Sequence, residues 1–236
     1  MQHEQPTRTD TSPAVDRPWW TLIGPGLATI VGLFLVTAAY GTHRFSAPGI
    51  GTRLVPPMAP DLALSQGEFS SAVIVTYLVA AVLALPVGAL LGGRYPTAVI
   101  SPAIGLMILG ALLVAFASGT GVLAAGRSLG GLGAGATVGA TAVLVGRLRD
   151  RRWTVAAVLA GAGFLALLSG PFADQAVADA VNWRWTFLAA EPLLFAALAA
   201  STVAGIVLLA TRRPARPAPY GAPYMPPPYP PPGPRP

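Results

Sequence analysis

The 236-residue chain has no cysteine and no lysine, and its only histidines are His3 and His43. Without cysteine there can be no disulfide framework, iron–sulfur cluster, thiolate zinc site or cysteine nucleophile. Without lysine there is neither a phosphate-gripping P-loop nor a Schiff-base catalyst. The histidines lie outside the apolar runs and offer no metal-ligand spacing, so no metal and no cofactor is expected. Charge is scarce as well: 10% of residues are charged, against about 25% in an average soluble domain. Such a chain cannot cover a soluble core with polar surface. A water-soluble enzyme is excluded, and an intramembrane one is not expected, because Ser118 and Ser169 have no base in their own apolar runs.

What is present is hydrophobic. Apolar residues make up 53% of the chain, and the mean hydropathy is +0.61. Crossing a hydrocarbon layer about 30 Å thick takes a helix of about 20 apolar residues. Six stretches qualify: Trp20–Tyr40, Ser71–Leu91, Thr97–Ala117, Val122–Val145, Trp153–Phe172 and Trp185–Ala210. The expected fold class is therefore all-α, a polytopic membrane protein of six transmembrane helices with disordered termini. Residues 1–18 read as a cytoplasmic leader, 19–211 as the transmembrane domain and 212–236 as a Pro-rich cytoplasmic tail.

Orientation follows from arginine. With the N-terminus inside, the inner segments hold eleven arginines (Arg8, Arg17, Arg94, Arg147, Arg149, Arg151, Arg152, Arg212, Arg213, Arg216 and Arg235) and the outer loops three (Arg44, Arg53 and Arg184). The positive-inside rule puts both termini in the cytoplasm. Arginine as the sole strong base, with abundant Ala, Gly and Pro, suggests a high-GC bacterium and hence its plasma (inner) membrane. The basic excess suits anionic lipid headgroups better than nucleic acid. The tail carries Pro226–Tyr229 (PPPY), either low-complexity sequence or a WW-type ligand.

The fourth run holds the densest pattern. Arg127, Gly131, Gly135 and Gly139 recur every four residues and so share one helix face. Small residues at that spacing let another helix approach closely, for packing or for sliding. A charge inside a span needs a partner or water. In the inferred topology Arg127, Glu191 and Asp174 lie at similar depth, Asp174 just past the end of the fifth run. They are candidates for a salt bridge or for a polar substrate or proton pathway, and Arg127–Glu191 is the pair favoured by depth.

The order of motifs resembles the N-terminal half of a major facilitator superfamily transporter, closest to the fourteen-span drug:proton antiporter branch. The resemblance rests on Gly88-Ala89-Leu90 at the end of the second run, Gly126 through Gly135 in the fourth and Ser169-Gly170-Pro171 in the fifth. Trp183-Arg184-Trp185 at the start of the sixth completes it. Gly92 stands where the gating signature has an aspartate, and Asp174 and Gln175 where the antiporter signature has two glycines. The resemblance implies a half-size permease for a small, drug-like solute, embedded in the lipid bilayer and acting as a homo-oligomer or with a partner half-transporter. The alternative is a non-transporting scaffold that displays the Pro-rich tail.

Overall fold

The computed structural model describes residues 18–41, 43–47, 51–56, 58–148 and 151–211. The expectations for the leader, for Arg149 and for the tail with Pro226–Tyr229 fall outside the described residues. Six helices are long and apolar enough to cross a membrane: α1 (Trp19–Thr37), α2 (Gln66–Arg94), α3 (Pro96–Ala115), α4 (Thr120–Gly146), α5 (Arg152–Ala180) and α6 (Arg184–Thr211). The fold class is the expected one. Between α1 and α2 a small antiparallel hairpin, β1 (His43–Ala47) and β2 (Gly51–Val55), pairs His43 with Val55 and Ala47 with Gly51. It lies outside the spans, and its end of the bundle is called the hairpin end below.

Two helix ends lie five or more residues from the ends of the apolar runs. α2 begins at Gln66, earlier than Ser71, because Ser65 and Glu68 form a capping box. The Glu68 N–H donates to Ser65 Oγ at 3.2 Å and the Ser65 N–H to the Glu68 carboxylate at 2.9 Å, which satisfies donors that a helix start leaves open. α5 continues through Gly170-Pro171 to Ala180 instead of stopping at Phe172. Asp174 is thus inside the helix and not just past its end.

α4 and α1 are the two hubs. α4 packs on α2 and α3, and α1 packs on α5 and α6. Contacts at Gly131, Gly135 and Gly139 follow α2 in the same direction, while Gly126 and Gly133 meet α3 running the opposite way. On the other hub, Leu33 and Thr37 of α1 meet Gly163 and Gly170 of the parallel α5, and Gly24 meets Ser201 of the antiparallel α6. Exchanging α1–α3 with α4–α6 maps each contact pattern onto the other, the mark of an internal three-plus-three repeat. The buried share falls from 61% in α4 to 11% in α5, so α4 is the centre and α5 the flank.

Close approach explains the glycines. A Cβ at Gly135 would run into the Ala81 carbonyl, one at Gly139 into the Leu85 carbonyl, and one at Gly131 into the Tyr77 carbonyl. From the opposite side, Gly88 meets the Ala136 backbone and Gly92 meets Ala140. With no hydrophobic drive between helices in lipid, backbone-to-backbone packing of this sort holds them together. An aspartate in place of Gly92 would have to displace Ala140, so the departure from the gating signature has a packing reason.

Candidate functional site

Arg127 is 2% exposed, and its guanidinium reaches three backbone carbonyls. Nε donates to Val73 at 2.8 Å, while the terminal nitrogens donate to Leu35 at 2.7 Å and Val36 at 3.2 Å. Two of the three acceptors are carbonyls that the end of a helix leaves short of a donor. Leu35 and Val36 are in the last turn of α1, whose carbonyls have no partner further along the helix. Phe34 is served by the Ala38 N–H and Thr37 by the Tyr40 N–H, and the arginine serves the two between them. Val73 sits in a π-helical stretch, Ser70–Val75, where the shifted hydrogen-bond pattern disturbs the regular ladder.

The same guanidinium lies 4.3 Å from the Tyr77 ring centroid, an attractive position for a cation shielded from water. Tyr77 in turn donates its hydroxyl to the Gly32 carbonyl at 2.9 Å. Arg127 and Tyr77 together tie α4 and α2 to the end of α1, at the negative pole of the α1 dipole. This arrangement accounts for a charged group inside a span that makes no salt bridge to an acidic side chain among the described residues.

The Arg127–Glu191 pair favoured by depth is not formed. Glu191 is 7% exposed, opens the long segment of α6 after a break at Ala189-Ala190, and has no hydrogen-bond partner for either carboxylate oxygen among the described residues. Asp174 is the acid whose charge reaches Arg127 through space. It is fully buried, and its Oδ2 accepts the Gly41 N–H at 3.1 Å. It therefore fastens the segment after α1 to α5.

Gly170 and Pro171 build the α1–α5 crossing. Pro171 has no N–H for the Leu167 carbonyl four residues back, and Thr37 Oγ1 donates to that carbonyl at 2.7 Å. A Cβ at Gly170 would strike Thr37 Oγ1 and come within 3.0 Å of the Ala38 nitrogen. The glycine admits α1 and the proline supplies its acceptor.

Sequence reasoning missed Tyr77, Thr37 and Asp61. Asp61, on the short helical turn Met58–Asp61, accepts from Trp183 Nε1 at 3.1 Å and pairs with Arg184 at 3.1 Å. Arg184 also donates to the Ala117 carbonyl at 3.2 Å. The Trp183-Arg184 dipeptide thereby joins the starts of α2 and α6 to the end of α3. An acid within a few residues of a span start was the available signal for Asp61; the roles of Tyr77 and Thr37 could not be read, because their acceptors are main-chain atoms of other helices.

The sequence model of the Major Facilitator Superfamily matches residues 29–231. An uncharacterized MFS-type transporter of Mycobacterium tuberculosis is 28% identical over 220 residues, covering 90% of this chain and 30% of the relative. An MFS-type transporter of an Acremonium species is 33% identical over 202 residues, 82% of this chain and 32% of the relative. The MFS thioclapurine efflux transporter of Claviceps purpurea is 38% identical over 93 residues, 39% of this chain and 17% of the relative. The chain spans less than a third of the length of each of these relatives.

Proposed function

Because the chain belongs to the major facilitator superfamily, we propose that its six spans form one half of a transporter for a small, drug-like solute. The half works with a second copy of itself or with a separate six-helix partner. The observation that carries the reading is Glu191, a carboxylate inside a span with no hydrogen-bond partner for either oxygen among the described residues. Ionisable groups in spans are expensive and are retained mainly where a pathway needs them. In this reading Glu191 takes up and releases the coupling proton, while Arg127 and Asp174 hold the hairpin end of α1 in register. The thioclapurine relative is named for efflux, and export is the direction adopted here. The arginine distribution supports cytoplasmic termini in the plasma membrane.

The test is reconstitution of the full chain in proteoliposomes loaded with ethidium, with a pH gradient imposed. Wild type moves the dye when the gradient is applied, and Glu191→Gln slows this at least tenfold while its folded yield in detergent is unchanged. A Glu191→Gln variant as fast as wild type overturns the reading, and absence of gradient-driven movement in wild type overturns the form of it in which a second copy completes the transporter.

A further inference from the structure

A cavity of about 250 Å³ lies between α1, α5 and α6. α5 meets α6 mainly through the segment Arg184–Leu188, and beyond it the two helices diverge over the side of α1. Ile30 and Phe34 form the floor, Ala173 and Val177 one wall, and Thr186 and Leu193 the other. Of all the lining residues, Thr186 alone has a polar side chain. It is 2% exposed, and its hydroxyl has no hydrogen-bond partner among the described residues.

The orphaned hydroxyl has a local cause. Thr76, Thr137 and Thr202 donate to the carbonyl four residues earlier in their own helices, those of Ala72, Gly133 and Leu198. Thr186 stands in the first turn of its helical segment, and position 182 lies before that helix begins. The usual acceptor is therefore not available to it, and a buried hydroxyl left unbonded is unfavourable.

We propose that this cavity is a binding site for a small amphiphile with an apolar body and one hydroxyl, an alcohol or a phenol, which bonds to Thr186. The apolar walls supply affinity and the single hydroxyl supplies orientation, the usual division of labour in small-molecule sites. An apolar cavity of about 150 Å³ already suffices to bind benzene, so this one has room for a larger body. A lipid tail could enter but would leave Thr186 unbonded. The site is separate from the Arg127 clasp, and the proposal does not rest on transport activity.

The test uses the full chain in phosphatidylcholine nanodiscs with two photoreactive probes, a diazirine-bearing octanol and the matching diazirine-bearing octane. Adducts are mapped by mass spectrometry. The octanol probe should label Val177 or Leu193 saturably, about fivefold more than the octane probe, the factor one modest hydrogen bond supplies. Thr186→Val, which keeps the shape, should bring the two probes to equal labelling. Ala189→Leu, which fills the cavity, should abolish labelling by both, and if that variant does not fold, Thr186→Val decides alone. Equal labelling by both probes in wild type would mean a crevice for lipid tails only, and unsaturable labelling spread along the exposed faces of α2 and α5 would mean no site. Either result overturns the proposal.

Discussion

Thr37 of α1 donates its hydroxyl to the Leu167 carbonyl of α5 at 2.7 Å, the carbonyl that Pro171 leaves without a backbone donor. One helix repairs the gap in another, and α5 runs through its proline without interruption. This relation predicts a dependence between two positions far apart in sequence. Thr37→Val should destabilise the protein by about 1–2 kcal/mol, the cost of stranding a buried carbonyl. In a Pro171→Ala background the restored N–H can serve Leu167, and the same change should cost clearly less. Thermal unfolding of the four proteins in detergent measures this, and equal costs in both backgrounds would contradict it.

The glycine contacts predict position-specific intolerance. Gly135→Ala places a methyl group against the Ala81 carbonyl, whereas Gly161 on α5 has nothing within 4 Å of a built Cβ. Gly135→Ala should lower stability by about 1–3 kcal/mol, as overpacking does, and Gly161→Ala should not. Melting curves that move equally would refute the close packing of α2 on α4.

At the hairpin end, Asp61 serves both Trp183 and Arg184. Asp61→Ala should release the Met58–Asp61 turn and speed limited proteolysis between β2 and α2, with little change in global melting, because the ion pair is partly exposed. Unchanged cleavage would show that the turn is held by Met58 packing alone.

Much of the fold was legible in the sequence because bilayer thickness imposes its own period. Apolar runs of the required length mark all six helices, and the four-residue glycine spacing marks the crowded face of α4. The fifth helix was cut short at Phe172 because the apolar run ends there, with Asp174 and Gln175 just beyond. The donor that rescues it, Thr37, lies 130 residues away. The start of α2 was likewise hidden, since Ser65-x-x-Glu68 precedes the apolar run and adds no hydropathy.

The candidate site was legible in its residues and not in their partners. Matching Arg127 to Glu191 by depth looked for an opposite charge and left rotation about the helix axes undetermined. The acceptors that Arg127 found are main-chain carbonyls at a helix end and in a π-helical stretch, and no side-chain pattern announces either. The position of Asp174 depended on the α5 boundary and moved with it.

Arg127 is held by hydrogen bonds to the carbonyls of Leu35, Val36 and Val73 and not by an ion pair with Glu191. The most direct measurement is a double-mutant cycle on unfolding free energy with Arg127→Gln and Glu191→Gln. Arg127→Gln should destabilise the bundle by removing its clasp, whereas Glu191→Gln should be neutral or stabilising, since it removes a buried carboxylate that no hydrogen bond from the described residues compensates. The double mutant should equal the sum of the two within about 0.5 kcal/mol, the usual limit for independent sites. A coupling of about 1 kcal/mol or more, with each single mutant destabilising, would show that the two charges do interact and would contradict the account.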